Sequence, residues 1–269
     1  MTDDPQESPG GLVTRTHLAA DLRALGLRSG AVVMVHTSLR ALGWVVGGAQ
    51  TVLEALRDAV GSDGTIVMPA QSWQLCEPAV LRQAPEASWQ QIREALPLYD
   101  PAVTPSQTMG VVAELFRTVP GTLRSAHPHR SITASGPLAE LIVARHPLGS
   151  PSGEESPLGR LFDVDAQILL LGVTAAKATM LHLAEHRADF PGKSTAANGV
   201  AMLVDGQRQW VTYDELDVDD EDFDDVFEAF RADTGLVTTG RVGEGVGQLA
   251  PARALVDYAA DWFSAHRGG

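Results

Sequence analysis

The segment Thr179-Met180-Leu181-His182-Leu183-Ala184-Glu185-His186 sets a histidine and a carboxylate three residues apart, just after an apolar run. On a helix such residues share a face, so the imidazole and the carboxylate can meet. A carboxylate beside imidazole stabilises its charged form and orients the ring, which is what a general base near neutral pH requires. The same spacing also occurs in plain surface ion pairs, which contribute little. His182 and His186, with Glu185 between them, also fit the inverted zinc-peptidase pattern, in which two histidines bind the metal and the glutamate acts on water. That site needs a third protein ligand, and no downstream acid is singled out as one.

Two further segments carry suitable groups. Val35-His36-Thr37-Ser38-Leu39-Arg40 closes the first expected strand, where open α/β sheets place ligand loops, and its amides and hydroxyls suit phosphate or pantetheine. An ordinary strand-to-loop turn with a satisfied histidine has the same composition. Arg124-Ser125-Ala126-His127-Pro128-His129-Arg130-Ser131 gathers two arginines, two histidines and two hydroxyls, a locally basic stretch suited to an anion or to a structural loop. Cys76 sits in Leu-Cys-Glu-Pro, with nothing to depress its pKa, and is a poor candidate nucleophile. Ser38 and Ser152 lack a nucleophile elbow, and Gly240 to Gly247 is neither a P-loop nor a dinucleotide fingerprint.

The elements that must position these groups alternate between strand and helix. From Leu18 to Leu27 apolar residues recur at helical spacing, with Gly30 beyond them as a stop. Ala31 to Val35 reads as a buried strand, and Thr51 to Val60 as a helix with Thr51 and Glu54 spaced as a capping box. Thr65 to Met68 is a second strand after Gly61-Ser62-Asp63-Gly64, so a parallel βαβ unit is expected. Residues 74–108 carry Pro78, Pro85, Pro97, Pro101 and Pro105, and predict an irregular excursion of the kind that lines sites, with one helix near Trp89 to Ala95.

Beyond it, Met109 to Val119 reads as a helix, Ser131 to Ala134 as a strand, Pro137 to Ala144 as a helix and Gly149 to Ser156 as a loop. Ile168 to Val173 is a buried strand, followed by a helix from about Ala176 to Asp189. Val200 to Val204 and Gln209 to Tyr213 flank Asp205-Gly206 as a hairpin, and helices near Phe223 to Thr234 and Pro251 to Ala265 enclose the glycine-rich stretch. The pattern is α/β, a single domain over 13–269 after a disordered tail over 1–12, with a small hairpin insertion.

Composition narrows the function. With 269 residues, 44% of them hydrophobic, the chain can bury a substantial core. No apolar run approaches the roughly 20 residues of a membrane span, and the polar, acidic start is unlike a secretory signal, so a cytoplasmic protein with no membrane partner is expected. One cysteine excludes an internal disulfide. A net charge of -14 argues against a nucleic-acid partner. The acids concentrate in Asp214, Glu215, Asp217, Asp219, Asp220, Glu221, Asp222, Asp224, Asp225 and Glu228, a density that attracts a small polycation or forms a solvated loop.

Together these segments resemble the aminoglycoside N3-acetyltransferase family, the antibiotic acetyltransferases, which differ in fold from the larger general amine acetyltransferase superfamily. The resemblance covers most of the chain. It runs through Val35-His36-Thr37-Ser38-Leu39, Gly43, Gly47-Gly48, Gly64-Thr65, Met68-Pro69, Tyr99-Asp100-Pro101, Met109-Gly110 and Arg124-Ser125-Ala126-His127-Pro128. It continues through Ser156-Pro157, Leu169 to Val173, Leu181 to Glu185 and Gly240-Arg241-Val242-Gly243.

The resemblance implies a central mixed sheet flanked by helices, acetyl-CoA as donor, no metal, and the 3-amino group of a 2-deoxystreptamine antibiotic as acceptor. His182 and Glu185 match the family's catalytic pair, with Glu185 orienting His182 and His182 deprotonating the amine as it attacks the thioester directly. By the same resemblance His36, Thr37, Ser38, Leu39, Arg40, His127, Arg130 and Ser131 contact coenzyme A, while Gly172 and Val173 border the thioester. Thr37 and Ser38 are candidates to steady the oxyanion. Trp73, Asp100, Asp214, Asp222 and Asp224 are candidates to face the antibiotic. The family pattern often has an asparagine after the proline that follows the catalytic helix; here the chain reads Pro191-Gly192-Lys193, and a third catalytic partner stays open. A different small amine as acceptor is the alternative reading, and a monomer and a homodimer are equally compatible with the sequence.

Overall fold

Thr14 opens the first helix by accepting the His17 N–H on its hydroxyl. In the computed structural model, which describes residues 11–81 and 84–268, the chain then runs through α1 (Arg15–Ala24), β1 (Val32–Thr37), a 3-10 turn over Leu39–Leu42, α2 (Gly48–Val60) and β2 (Thr65–Pro69). The excursion after β2 carries α3 (Pro78–Leu81) and α4 (Trp89–Ala95). There follow α5 (Val111–Thr118), β3 (Leu123–Arg124), β4 (Ile132–Ser135), α6 (Ala139–Val143), α7 (Pro157–Asp163), β5 (Gln167–Leu171) and α8 (Leu181–Arg187). The chain ends with β6 (Thr195–Val204), β7 (Gln207–Leu216), α9 (Phe223–Thr234), β8 (Thr238–Val242), β9 (Gly245–Pro251) and α10 (Ala252–His266). The tail expected over 1–12 lies, but for residues 11 and 12, outside the described residues.

Seven strands form one mixed sheet in the order β3-β4-β2-β1-β5-β9-β8. β1 is parallel to β2 and to β5, as the βαβ reading requires, and the outer pairs are antiparallel. Alternation along the strands divides the core. Val33, Val35, Ile66, Met68, Leu169 and Leu171 pack against α1, α2 and α5, while Met34, Val67, Ile168 and Leu170 pack against α6 to α10, with Phe223, Phe227, Phe230 and Phe263 filling that side. The sheet is therefore covered on both faces, and the apolar continuity of β1 and β5 in the sequence follows from that.

β6 and β7 form a separate two-stranded sheet, turned by Asp205 and Gly206 at φ 51 and 77°, the two positive values a tight hairpin turn demands. Among the described residues no helix is long and apolar enough to cross a membrane.

Two expectations need correction. Thr51 does not cap α2: the helix begins earlier, at Gly48, and the Thr51 hydroxyl donates to Val46 O at 2.6 Å while Glu54 receives Arg15 at 2.9 Å. The helix expected from Ala176 to Asp189 is broken, with a 3-10 turn over Ala175–Lys177, a non-helical Ala178 and then α8, so His182 stands in the first turn of a short helix. The glycine-rich stretch forms the β8–β9 hairpin, where a Cβ at Gly245 would fall 2.6 Å from Ala41 O and one at Gly247 would fall 2.7 Å from Val242 Cγ2.

Candidate active site

The parallel strands β1, β2 and β5 end on one side of the sheet, and a cleft of about 770 Å³ opens there. Such crevices at strand ends are where open α/β sheets bind ligands. One wall is the β1 end and its turn, His36 to Arg40; the β6–β7 hairpin supplies Ala196 to Asn198, Glu215 and Leu216 opposite, and α8 brings His182 to the cleft.

His182 Nδ1 lies 2.5 Å from Glu185 Oε2, and the imidazole packs 5.0 Å from the Phe223 ring, centroid to centroid. That bond occupies Nδ1 and leaves Nε2 as the nitrogen available to a substrate. Glu185 is 1% exposed. Burial alone would raise its pKa, but the His182 contact, Arg267 and the Asp219 N–H together hold the carboxyl below its ordinary range. Its partners stabilise the anion, so it can orient the imidazole as a charged group.

Of the segment 36–40, all five residues line the cleft. Among the described residues His36 Nε2 and Thr37 Oγ1 are buried without a hydrogen-bond partner, and burial, followed by the charge of His182, pushes the His36 pKa down to about 3, so that ring stays neutral. Val173 lines the cleft; the adjoining Gly172, at φ 64°, lets the turn approach closely, because a Cβ there would fall 2.3 Å from Ala41 Cβ.

The basic segment divides. Arg130 reaches the cleft, but its guanidinium donates to Glu215 at 3.0 and 3.5 Å and lies 4.7 Å over Trp73, so it is committed within the protein. His127 and Ser131 are fully buried off the cleft wall. His127 Nδ1 accepts the N–H groups of His129 and Arg130, both at 3.1 Å, and Ser131 donates to Ala70 O at 2.6 Å, so both order the loop.

Of the expected acceptor contacts, Trp73 lines the cleft and the four aspartates do not. Asp100 caps its own turn through Ala102 N–H, Asp214 alternates outward on β7, Asp222 pairs with Arg267, and Asp224 accepts Ala176 N–H. The acids on the wall are Glu215, Asp217 and Asp220, members of the acidic run that sequence spacing did not distinguish from their neighbours. Alternation along β7 carries the signal for Glu215, but only once register is known. Asn198, buried on the paired strand two residues along from the partner of Glu215, donates to Glu215 Oε1 at 2.8 Å. Lys177 at the cleft and Arg267 behind Glu185 had no sequence signal.

His186 does not join His182 at the cleft. Its Nδ1 lies near Gly153, and burial, followed by the Lys193 charge, pushes its pKa down to about 4. Among the described residues no three His, Cys, Asp or Glu side chains converge to hold a metal ion. The two histidines of the zinc pattern face different surroundings.

Residues 34–264 match the protein-family model described as aminoglycoside 3-N-acetyltransferase. The chain belongs to that family. It is 41% identical over 253 residues to the SPbeta prophage-derived aminoglycoside N(3')-acetyltransferase-like protein YokD of Bacillus subtilis (strain 168), covering 93% of this chain and 92% of the relative. It is 39% identical over 272 residues to aminoglycoside N(3)-acetyltransferase VII of Streptomyces paromomycinus, covering 96% and 94%.

Among solved structures, AAC-IIIb in binary complex with CoASH superposes with a TM-score of 0.86 at 34% identity, over 96% of this chain and 98% of that one. AAC-VIa bound to sisomicin gives 0.83 at 32% identity, over 96% and 100%. Membership in the aminoglycoside 3-N-acetyltransferase family makes the chain an acyltransferase whose donor is acetyl-CoA.

Proposed function

We propose that the chain acetylates the 3-amino group of a 2-deoxystreptamine aminoglycoside, with His182 as general base and Glu185 as its orienting anion. The observation that carries this reading is the 2.5 Å contact of His182 Nδ1 with buried Glu185, on a cleft at the ends of parallel strands. His182 Nε2 accepts the amine proton as the nitrogen–carbon bond forms and returns it to sulfur as the carbon–sulfur bond breaks. No covalent enzyme intermediate is needed, in keeping with Cys76, whose thiol burial pushes up to about 12.

Donor binding falls to the turn 36–40 and Val173, with the exposed cations Arg40 and Lys177 at the cleft suited to the phosphates of coenzyme A. Thr37 Oγ1, without a protein partner, is a ready donor to the charge that develops on the carbonyl oxygen, and Ser38 stands beside it. The acceptor side is anionic through Asp217 and Asp220, Glu215 being neutralised by Arg130, and has the Trp73 ring as a sugar platform. A polycationic acceptor suits that wall.

The test is thiol release from acetyl-CoA by purified protein with gentamicin, kanamycin, apramycin and neomycin added separately, with the acetylated position read by NMR of the product. Release with one of them and acetylation at N3 support the reading. No release with any of the four replaces the acceptor with a different small amine.

A further inference from the structure

The imidazole is only one of the partners of Glu185. Oε2 faces His182, whereas Oε1 accepts from Arg267 Nη1 at 2.6 Å and from the Asp219 N–H at 2.9 Å. Arg267 is itself fixed on every side. Its Nε and Nη2 donate to the two Asp222 oxygens at 2.8 and 2.5 Å, Nη2 also reaches Asp219 O at 2.7 Å, and the guanidinium lies 3.9 Å over the Phe263 ring. The residue follows α10, whose last turn its own N–H closes on Phe263 O at 3.0 Å, and it lies beyond residue 264, where the family match ends.

A carboxylate this deeply buried needs compensation for its lost hydration, and a planar guanidinium fork supplies it with direction as well as charge. By holding Oε1, the fork fixes the Glu185 rotamer that points Oε2 at His182. Because a guanidinium stays protonated, it also keeps Glu185 a weak base, so a proton taken by the imidazole remains there instead of passing to the carboxylate. Arg267 touches neither the cleft nor the imidazole.

We infer that Arg267 is a positioning residue for the reaction, the third partner of the His182–Glu185 pair, acting through the oxygen of Glu185 that His182 does not use. The inference rests on the reading of His182 as the base. The other charged or titratable groups around the pair are His36 from β1, His186 on α8 and Lys193 after it, with Asp222 ahead of α9. None of these side chains hydrogen-bonds Glu185 among the described residues. Removing the guanidinium charge relieves repulsion on the imidazolium and leaves Glu185 a stronger acceptor, so the imidazole should hold its proton to higher pH.

The experiment compares Arg267→Gln, Arg267→Lys and Asp222→Asn in the full chain. Arg267→Gln is expected to lower kcat about tenfold or more with both KM values within about twofold. It should also move the titration of the His182 ring, followed by NMR of histidine-labelled protein, upward relative to the unsubstituted chain. Arg267→Lys should recover most of both, and Asp222→Asn, which releases the guanidinium from its second anchor, should lower kcat by less than the Gln variant. Wild-type kcat and titration in Arg267→Gln overturn the inference. So does a loss of kcat with an unmoved titration and no recovery by Lys, which is the signature of a purely structural clamp. If Arg267→Gln does not fold, wild-type kcat in Asp222→Asn overturns it equally. The titration needs no acceptor, so an absence of turnover in the unsubstituted chain sinks the acetyl-transfer reading alone, and a shifted titration still supports Arg267.

Discussion

Arg130 and Glu215, 85 residues apart in the chain, form an ion pair beneath the cleft in which both side chains are nearly buried. The pair joins the loop after β3 to the hairpin strand β7, with Trp73 against the guanidinium and Asn198 on the second carboxylate oxygen. Removing one partner strands the other charge without water. Arg130→Met is expected to cost about 3–5 kcal/mol in urea unfolding, and the double variant Arg130→Met with Glu215→Leu to recover most of it. A single variant no worse than the double would show that the pair is not an integral buried unit.

His182→Ala should reduce kcat about 100-fold or more while leaving the acetyl-CoA dissociation constant nearly unchanged. Glu185→Gln keeps the ring's neighbour but not its charge, and should lose less. Steady-state kinetics with equilibrium binding of acetyl-CoA checks both; an active His182→Ala removes the base assignment.

Gly172→Ala places a methyl group against Ala41 at a backbone of φ 64°. Strain of about 1–2 kcal/mol is expected, with displacement of the turn 38–41. The KM for acetyl-CoA should therefore rise while that for the acceptor holds, and equal rises in both would place the turn outside the donor arm.

Acid should unfold the protein through its histidines. Burial, first among the causes, holds His36 down to about 3, His129, His146 and His186 to about 4, and His127 well below its ordinary value. Since these folded values lie below the unfolded value of about 6.5, the unfolded chain binds more protons once the pH falls below that point. Their contribution is complete above about 6.5 and is lost toward pH 4, at about 1.4 kcal/mol per pH unit for each histidine fully protonated only when unfolded. Urea midpoints at pH 7, 6 and 5 read the slope, and a midpoint constant across that range contradicts it.

Prolonged dialysis against a chelator should leave turnover unchanged. Loss of activity restored by zinc would return His182 and His186 to the metal-ligand reading.

Much of the frame is legible in the sequence because burial leaves a pattern. The apolar runs at β1 and β5, the Asp205-Gly206 turn, and the periodicity of α1 and α9 each report a local requirement. What escapes local reading is long-range. Thr51 and Glu54 carry a cap's spacing, yet Arg15 from another helix takes the glutamate. Gly240 to Gly247 received no element in the sequence because the reason for Gly245 and Gly247, close approach of Ala41 and Val242, is a matter of tertiary contact. For the same reason Asp222 gave no sign that it would bind a guanidinium 45 residues on, nor Glu215 that it, and not Asp214, would face inward.

The hairpin wall of the cleft is closed at its base as well as its tip. The Asp217 N–H donates to Ser194 O at 3.0 Å, so the ten-residue strands β6 and β7 leave and rejoin the body at adjacent points, and they share no ladder with the seven-stranded sheet. That makes the hairpin a cassette. Exchange of the segment between relatives must therefore keep Glu215, Asn198 and Tyr213, which hold Arg130, Glu77 and His129 of the body, while its outward-facing positions are free to vary and the His182 helix, built on other strands, passes through unaltered.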